Sequence, residues 1–220
     1  MKVYDSTAVC GPEMTSCYPG HPAPKVERWA TYEKDGYEAR LLTIDSHAGT
    51  HVDAPKHFVP GGKGADQIPI DRLVGEGVVL DIPKGPYEEI SAKDIEAAQP
   101  SVQKGDIVFI HCGWGDKWHS PWDEEAFRSR PGLDATGAQW LVSKKVKAVG
   151  IDSLTIQVGK EEVTPGSPTV HGILLENEVV IVECLVNLDA IKGQRAIIAI
   201  GLVSVKGADG GQARVLGIQL

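Results

Sequence analysis

The residues best suited to chemistry lie in one stretch of eleven, His47 to His57, which contains three of the chain's seven histidines and one aspartate. Histidine nitrogens and carboxylate oxygens are common ligands of Zn²⁺ and related metals. His47 and His51 could share one face of a helix, but Gly49 and Pro55 oppose a helix here. We therefore expect a loop leaving a strand, in which Gly49 permits a tight turn and both imidazoles converge on one ion.

The alternative for this stretch is a polar loop whose histidines are solvated and unrelated. The crowding of polar groups before a rigid proline favours a site instead. Pro55 would stiffen the exit from the loop and direct His57 back towards the same ion.

Two more polar residues stand in apolar surroundings later in the chain. His171 lies near Ile173 and Leu174, and Glu183 ends the apolar run 179–182. A carboxylate in such a place is costly to bury unless it is paired or bound to a metal. Taken alone, each residue also suits a structural role, as a hydrogen-bonded core histidine or a salt-bridged glutamate, and the residues themselves leave both alternatives open.

Composition argues against two classes of partner. The chain of 220 residues has a formal net charge of −8, and its 22 lysines and arginines form no run or stripe. We therefore expect no binding to nucleic acid or to anionic membranes. No segment approaches the roughly 18 consecutive apolar residues of a membrane span, and the first residues lack the apolar core of a signal peptide, which predicts a cytoplasmic protein.

The four cysteines have no metal or redox spacing. Cys10, Cys17, Cys112 and Cys184 contain no C-x-x-C pair, and in a cytoplasmic protein we expect all four to be reduced. Cys10 and Cys17 could pair only if the protein were secreted. Cys112 is a rival nucleophile, but adjacent residues of a strand face opposite ways, so His111 cannot readily activate it.

The elements that must position these residues follow from the hydrophobic pattern. Strands are predicted at residues 3–5, 38–45, 77–82, 106–110, 148–151, 179–182, 196–205 and 215–220, and helices at 91–99, 134–145 and 170–176. Ser91 and Asp94 form a capping-box pattern, and Asp134 is a second N-cap. Near-continuous apolar strands between helices predict an α/β fold with a mixed, largely buried sheet, in a single domain over residues 1–220. A glycine-rich loop at 60–64 lacks the phosphate-binding spacing and is predicted to be a flexible loop.

The histidine stretch resembles a known family, the cyclase-type metal-dependent hydrolases, which include bacterial kynurenine formamidases and isatin hydrolases. The signature His-x-Gly-Thr-His-x-Asp-x-Pro-x-His is matched in full over residues 47–57. The likeness covers nearly the whole chain and includes Asp5-Ser6-Thr7, Tyr18-Pro19-Gly20, Gly113-Trp114, Gly150-Ile151-Asp152 and Lys206-Gly207-Ala208-Asp209-Gly210. It implies a barrel-like core of the swivelling β/β/α type and an oligomer, either a homodimer or a homotetramer.

The resemblance also implies roles for single residues. His47, His51 and Asp53 would be metal ligands, and His57 would be the catalytic acid/base. In the formamidase branch a later histidine and glutamate, twelve residues apart, hold a second zinc, and His171 and Glu183 have that spacing. Asp53 would then bridge two Zn²⁺ ions, with Mn²⁺ as the alternative metal.

The activity expected from this resemblance is amide hydrolysis of a small molecule, such as the aryl formamide N-formylkynurenine, by a metal-bound hydroxide. The alternatives are a lactam hydrolase of the isatin type and a catalytically silent metal-binding module. Tyr18 and Trp114 are candidates for an aromatic wall around the substrate, or else plain core or surface aromatics. Formamidases tend to have Trp and Asp where this chain has Tyr18 and His21, so the departures concern the shape of the substrate.

Overall fold

Most strands of the protein close into a ring in this computed structural model. The structure describes residues 1–12, 18, 20–117, 124–159 and 169–220. The strands are β1 (Lys2–Asp5), β2 (Lys25–Ala30), β3 (Ala39–Thr43), β4 (His51–Asp53), β5 (Val74–Asp81), β6 (Glu89–Ile90), β7 (Ile107–His111), β8 (Gly132–Leu133), β9 (Ala148–Ile151), β10 (Val180–Glu183), β11 (Gln194–Leu202) and β12 (Gly210–Gln219). The helices are α1 (Tyr32–Asp35), α2 (Ile70–Leu73), α3 (Ala92–Ala97), α4 (Glu124–Arg128), α5 (Ala135–Ser143) and α6 (Val170–Glu176). Short 3-10 turns lie at Pro55–His57, Ala65–Gln67 and Leu188–Ala190.

Closure of the ring depends on one long strand. The order is β1-β12-β11-β5-β7-β9-β10-β4, and β4 also pairs with β12, so that seven of these eight strands form a closed mixed barrel. The edge of β12 that binds β4 through residues 210–212 continues along β1 through residues 216–219. The strands β5, β7, β9 and β10 run parallel to one another, and the remaining pairs of the ring are antiparallel. The predicted α/β fold with a barrel-like core is confirmed.

The apolar runs of the strands are explained by burial on both faces. On β5, Val79 packs inside the ring with Phe109 and Ile198, whereas Val78 and Leu80 pack outside it. The outer layer consists of the apolar faces of α3, α5 and α6. Strands enclosed in this way are apolar on both sides, which is why their sequences do not alternate.

Helix ends agree closely with their capping signals. Ser91 accepts a hydrogen bond from the backbone of Asp94 and Asp94 bonds back to Ser91, which completes the predicted capping box of α3. Asp134 accepts from the backbone of Gly137 at the start of α5. These signals are local, so they are readable without the tertiary structure.

The sequence missed a second, separate sheet. Strands β2 and β3 pair as an antiparallel hairpin outside the ring, and the predicted strands include β3 but not β2. Five of the six β2 residues are exposed, so the strand lacks the alternating apolar pattern by which half-buried strands are recognised.

The prediction of four reduced cysteines is wrong for Cys184. Cys184 is disulfide-bonded, whereas Cys10 and Cys112 are free thiols. Because Cys10 is free, the alternative of a Cys10–Cys17 disulfide is not supported; Cys17 itself lies outside the described residues. None of the helices in the described ranges is long and apolar enough to cross a bilayer.

Candidate metal centre

The histidine stretch is part turn and part strand, not a continuous loop as predicted. Residues 46–50 turn, and residues 51–53 form β4, which pairs with β10 on one side and β12 on the other. Because side chains two apart on a strand share a face, β4 presents His51 and Asp53 together. Glu183 lies opposite His51 in the register of β10, so a third donor joins them across the strand pair.

The preceding turn is fixed by contacts that explain the rest of the signature. Gly49 has φ of +66°, a left-handed conformation that favours glycine. The hydroxyl of Thr50 donates to the carbonyl of Cys184 at 2.7 Å, which ties the turn to the residue after Glu183. The Nδ1 atom of His51 lies 2.8 Å from the Gly49 carbonyl. Donation there leaves Nε2 of His51 as the free donor atom towards the site.

One set of side chains, which we call the inner group, consists of His51, His171 and Glu183 beside Asp53. The Nε2 atom of His171 is 3.1 Å from Glu183 Oε1 and 3.8 Å from Asp53 Oδ2. The Nε2 atom of His51 is 3.3 Å from Asp53 Oδ1 and 3.5 Å from Glu183 Oε2. Glu183 is held in place by the backbone N–H of Ile156, which donates to Oε1 at 2.6 Å. All members of the inner group are buried.

A second set, the outer group, consists of His47, His57 and Asp209 on the other side of Asp53. His47 Nδ1 is 2.8 Å from Asp53 Oδ1, and its Nε2 is 3.1 Å from Asp209 Oδ2. The rings of His47 and His57 stack with centroids 3.9 Å apart, and His57 Nδ1 is 3.3 Å from Asp209 Oδ2. Gly210 allows this approach, because a Cβ there would lie 2.9 Å from His47 Cε1 and 2.6 Å from the carbonyl of Val52.

The residues present fit a divalent metal. Donor atoms of His51, Asp53 and Glu183 lie within 4.8 Å of one another, and so do those of His47, Asp53 and His57. Among the described residues, His51 Nε2 and Asp53 Oδ2 are buried without a hydrogen-bond partner. Buried polar atoms are normally satisfied, so these two atoms lack the partner that a metal ion would supply. Imidazole and carboxylate together suit Zn²⁺ or Mn²⁺.

The inner group shows strong mutual electrostatic effects in the metal-free chain. Burial alone would lower the pKa of His51, but the carboxylates of Asp53 and Glu183 raise it to about 10. Burial would raise the pKa of Asp53, but His47 and His51 hold it well below its usual range. Burial and the charge of Asp53 would raise the pKa of Glu183, yet contacts with His171 and His51 keep it at about 2. Two carboxylates therefore stay ionised beside imidazoles, as a metal site requires.

The outer group divides differently. Burial lowers the pKa of His57, and the charges of His47 and His171 lower it further, against Asp53. Burial would raise the pKa of Asp209, but its contacts with His47 and the hydroxyl of Ser46 keep it at about 2. His57 is therefore neutral near pH 7 beside an ionised aspartate. A neutral imidazole can accept a proton.

A cavity of about 550 Å³ opens onto both groups. The described residues that line it are Tyr18, His21, His47, His51, His57, Phe58, Phe127, Arg128, Arg130, Leu154, Thr155, Gln157, Gly159, His171 and Glu183. All five predicted imidazole and glutamate ligand or acid/base residues are in this lining, and Asp53 is fully buried beneath them. The structure thus brings together predicted ligand and acid/base residues that are up to 136 positions apart, from His47 to Glu183.

The two predicted aromatic residues have different positions. Tyr18 lines the cavity and contacts Phe127 edge-on, with ring centroids 5.4 Å apart. Trp114 is 2% exposed in the outer core, and its indole N–H donates to the Ala126 carbonyl at 3.1 Å. Trp114 is therefore a core residue, and its prediction as part of a substrate wall is not supported. In the sequence, the position of Trp114 after the end of a strand does not distinguish a core residue from a residue of the substrate wall.

The rival nucleophile is not supported either. Cys112 is 1% exposed, and burial together with the nearby Asp152 carboxylate raises the pKa of its thiol well above the usual range. His111 pairs with Asp81 at 2.8 Å rather than with the thiol. A buried thiol kept protonated in this way is a poor nucleophile.

In the glycine-rich loop, Lys63 forms an ion pair with Glu178.

Asp209 is the residue that sequence reasoning missed. It lies 152 positions from His57 and 162 positions from His47, and it contacts both. It was part of the segment 206–210 that carried the family resemblance, but no role was attached to it. An aspartate followed by two glycines at the start of a strand has the same local pattern as an ordinary turn, so only the closure of β12 onto β4 reveals its place.

Fold and site together define a class: closed mixed barrels with a buried histidine–carboxylate cluster suited to divalent metal ions. The family model described as "Putative cyclase" matches residues 4–158. Because that match covers more than half of the chain, the chain belongs to the cyclase family, as the histidine signature predicted.

Individual relatives agree with this assignment. A kynurenine formamidase from Erythrobacter litoralis is 28% identical over 204 residues, which cover 90% of this chain and 86% of that protein. An isatin hydrolase from Roseibium aggregatum is 25% identical over 245 residues, covering 99% and 92% of the two chains. A solved structure of a potential metal-dependent hydrolase with cyclase activity has a TM-score of 0.78 at 30% identity, over 98% of this chain and 96% of that one.

Proposed function

We propose that this chain is a metal-dependent hydrolase of amide bonds, with residues 1–220 acting as one catalytic domain. The observation that carries the proposal is the position of Asp53. This carboxylate is 0% exposed and lies within reach of donor atoms from both the inner and the outer group. A buried carboxylate between the imidazole and carboxylate side chains of these two groups is costly in an ordinary core, whereas a metal site requires it.

The proposed ligands are those that the family resemblance implied. His47, His51 and Asp53 would hold one ion, and Asp53, His171 and Glu183 would hold a second, with Asp53 as the bridge. We propose two Zn²⁺ per subunit, with Mn²⁺ as the alternative. The geometry also offers His57 as a donor together with His47 and Asp53, so the experiments below separate a ligand role for His57 from an acid/base role.

A divalent metal bound here would polarise an amide carbonyl and make water a stronger nucleophile at neutral pH. His57 would move the proton. If its Nδ1–H donates to Asp209, its Nε2 has the free lone pair that can accept a proton from the attacking water. His57 then returns that proton to the leaving nitrogen as the C–N bond breaks, so that water and amide become a carboxylic acid and an amine.

For the substrate we propose an aryl formamide of the N-formylkynurenine type. The support is the kynurenine formamidase relative at 28% identity, together with Tyr18 and Phe127, whose rings lie at the cavity. The second candidate is a cyclic amide of the isatin type, supported by the isatin hydrolase relative at 25% identity. Both are small amides with an aromatic ring, so either could use the same aromatic edge.

The test combines metal content with turnover on the same sample. Protein purified without a histidine tag is analysed for metals and assayed with N-formylkynurenine and isatin. About two zinc ions per chain with formamide hydrolysis would support the formamidase proposal. One manganese ion per chain with isatin opening would favour the lactamase. Metal binding without any amide or lactam turnover would favour a silent metal-binding module and contradict the hydrolase.

We further propose that the chain forms a homodimer or homotetramer. The hairpin β2–β3 stands outside the ring and exposes large apolar side chains, including Trp29 at 73% and Leu42 at 57%. Exposed apolar clusters of this kind commonly mark protein interfaces. Light scattering after size-exclusion chromatography would measure the mass, and a monomer at assay concentration would contradict the proposal. The cytoplasmic location expected from the sequence stays a prediction.

A further inference from the structure

A buried arginine lines the cavity and has no part in the mechanism described above. Arg130 lies between α4 and β8, is 6% exposed, and belongs to the same cavity lining as Glu183 and His171. Arginine is rarely buried to this extent unless its charge is paired. Its contacts therefore decide whether the protein itself satisfies this guanidinium.

The protein satisfies the guanidinium only in part. Arg130 Nη1 donates to the carbonyl of Phe127 at 2.6 Å, and Cζ lies 4.2 Å from the centre of the Phe127 ring. Arg130 Nε is buried without a hydrogen-bond partner among the described residues. No aspartate or glutamate oxygen of the described residues lies within 4.0 Å of the Arg130 guanidinium. Among the described residues, one carbonyl and one ring face are thus the only polar or cation–π partners for the five N–H donors of Arg130.

Arg195 shows what a completed arginine site looks like in this protein. Its two terminal nitrogens reach the two oxygens of the buried Asp106 at 3.0 and 2.6 Å, the bidentate pairing that guanidinium favours. Arg195 is more exposed than Arg130 and yet is fully paired. Desolvation predicts the opposite order, because the more buried cation, Arg130, has a greater need of a paired anion than Arg195 has.

Arginine does not solve this problem by losing its proton. Burial lowers the pKa of Arg130 while the Glu183 charge acts against that change, and a guanidinium stays protonated in proteins. Burying an unpaired cation costs free energy. An anionic group that enters the cavity would pair with Arg130 and reduce this cost.

We propose that Arg130 binds a carboxylate carried by the substrate, so that the preferred substrates are amides with a carboxylate elsewhere in the same molecule. This inference rests on the proposed function and narrows it to a substrate class. Arg130 is a specificity-determining residue in this scheme, separated from the reacting bond by the body of the substrate. Phe127, which packs against both Arg130 and Tyr18 in the same cavity lining, would lie beside the bound carboxylate.

A binding experiment tests the carboxylate contact without any turnover. Calorimetry compares 2-aminobenzoate with the neutral 2-aminobenzamide on zinc-loaded wild-type protein and on Arg130→Met. We expect wild type to favour the carboxylate by about 10- to 100-fold, the range of a hydrogen bond to a charged group, and Arg130→Met to lose that preference. Equal affinities in wild type would overturn the proposal. A preference that survives in Arg130→Met would also overturn it, because the carboxylate would then bind elsewhere, such as on the metal.

Turnover of a matched pair tests the same contact during the reaction. The ratio of kcat/KM for 2-formamidobenzoate to that for formanilide isolates the carboxylate, because both substrates release formate. We expect Arg130→Met to reduce this ratio by about 10-fold or more. Arg130→Lys should reduce it less, because lysine keeps the positive charge but cannot form the bidentate hydrogen bonds of a guanidinium. Equal losses on both substrates would overturn the proposal. Arg130→Lys also serves if Arg130→Met does not fold, as judged by its melting curve.

A neighbouring arginine provides the control. Arg128 is at the rim of the same cavity, but it is exposed and already paired with Glu124 at 2.8 Å. Arg128→Met should leave the substrate ratio within about twofold, since exposed ion pairs contribute little. The proposed hydrolase function fails if metal-loaded wild-type protein hydrolyses none of the four compounds: the matched pair, N-formylkynurenine and isatin. The binding of 2-aminobenzoate would still decide the role of Arg130.

Discussion

The inner and outer groups on the two sides of Asp53 differ in burial and in support. The inner side chains are at most 6% exposed, and they are held by two strands, a helix and the backbone of Ile156. In the outer group, the side chains of His57 and Asp209 are 26% and 40% exposed. Both groups use imidazole and carboxylate, so chemistry alone does not distinguish them.

The difference indicates a division of labour. Donors that are locked on rigid elements before a metal arrives lose little freedom on binding it. Side chains that face the cavity can instead contact a substrate and exchange protons with it. We therefore expect changes in the inner group, and in the buried His47 of the outer group, to act first on metal content. Changes in His57 and Asp209 should act on turnover.

The largest effect should come from the residue that the two groups share. Asp53→Asn removes a carboxylate charge from both proposed ion sites. We expect metal content to fall below one ion per chain and activity to fall at least about 1,000-fold, since metal catalysis contributes several kcal/mol. Elemental analysis and kcat/KM measure the two quantities. Asp71→Asn, an exposed aspartate of α2, is the matched control; a fully metallated Asp53→Asn enzyme would contradict the bridging role.

The second prediction separates the two histidines that stack in the outer group. His57→Ala should keep the metal content of wild type and lose about 100- to 10,000-fold in kcat, the usual contribution of general acid–base catalysis. His47→Ala should lose metal as well. Loss of an ion from His57→Ala would instead make His57 a ligand. His111→Ala is the control, because His111 is outside the cavity lining and pairs with Asp81.

Asp209 should have a smaller effect, because it acts through its contacts with two histidines. Asp209→Asn should lower kcat about 10- to 100-fold, as is typical for residues that orient metal ligands and catalytic imidazoles. Ser46→Ala, which removes only the hydroxyl that donates to Asp209 at 3.0 Å, should lower it less. A shift in the acidic limb of the kcat profile would accompany loss of the His57 contact, whereas a purely structural role would leave that limb in place.

The smallest effect should come from a carboxylate outside both groups. Burial would raise the pKa of Asp94, but Lys84 and Ser91 lower it to about 2 from 3.8. A lowered pKa means that this contribution to stability is present above about pH 4 and is lost as the pH falls towards 2. Asp94→Asn should therefore be less stable than wild type at pH 6, by at most about 1 kcal/mol, and the gap should close near pH 2. Thermal melts of the metal-free proteins measure it, and a gap independent of pH would contradict it.

Much of this protein is determined by local sequence. The donors of the histidine stretch are within eleven residues, and the pattern at 47–57 predicted both the metal chemistry and the family. Helix α3 begins at Ser91 because a serine and an aspartate three positions apart satisfy free backbone groups without help from the rest of the chain. Apolar runs likewise predicted most strands, because burial on both faces acts on each strand separately.

Tertiary structure decided what depends on distant contacts. The closure of β12 onto β4 brings Asp209 to His47 and His57, and the seam between α4 and β8 puts Arg130 at the cavity while Trp114 turns into the core. These outcomes are set by how strands far apart in sequence pair and pack. Local patterns carry no record of such pairing, because a residue's period and its neighbours are the same whether a distant strand approaches it or not.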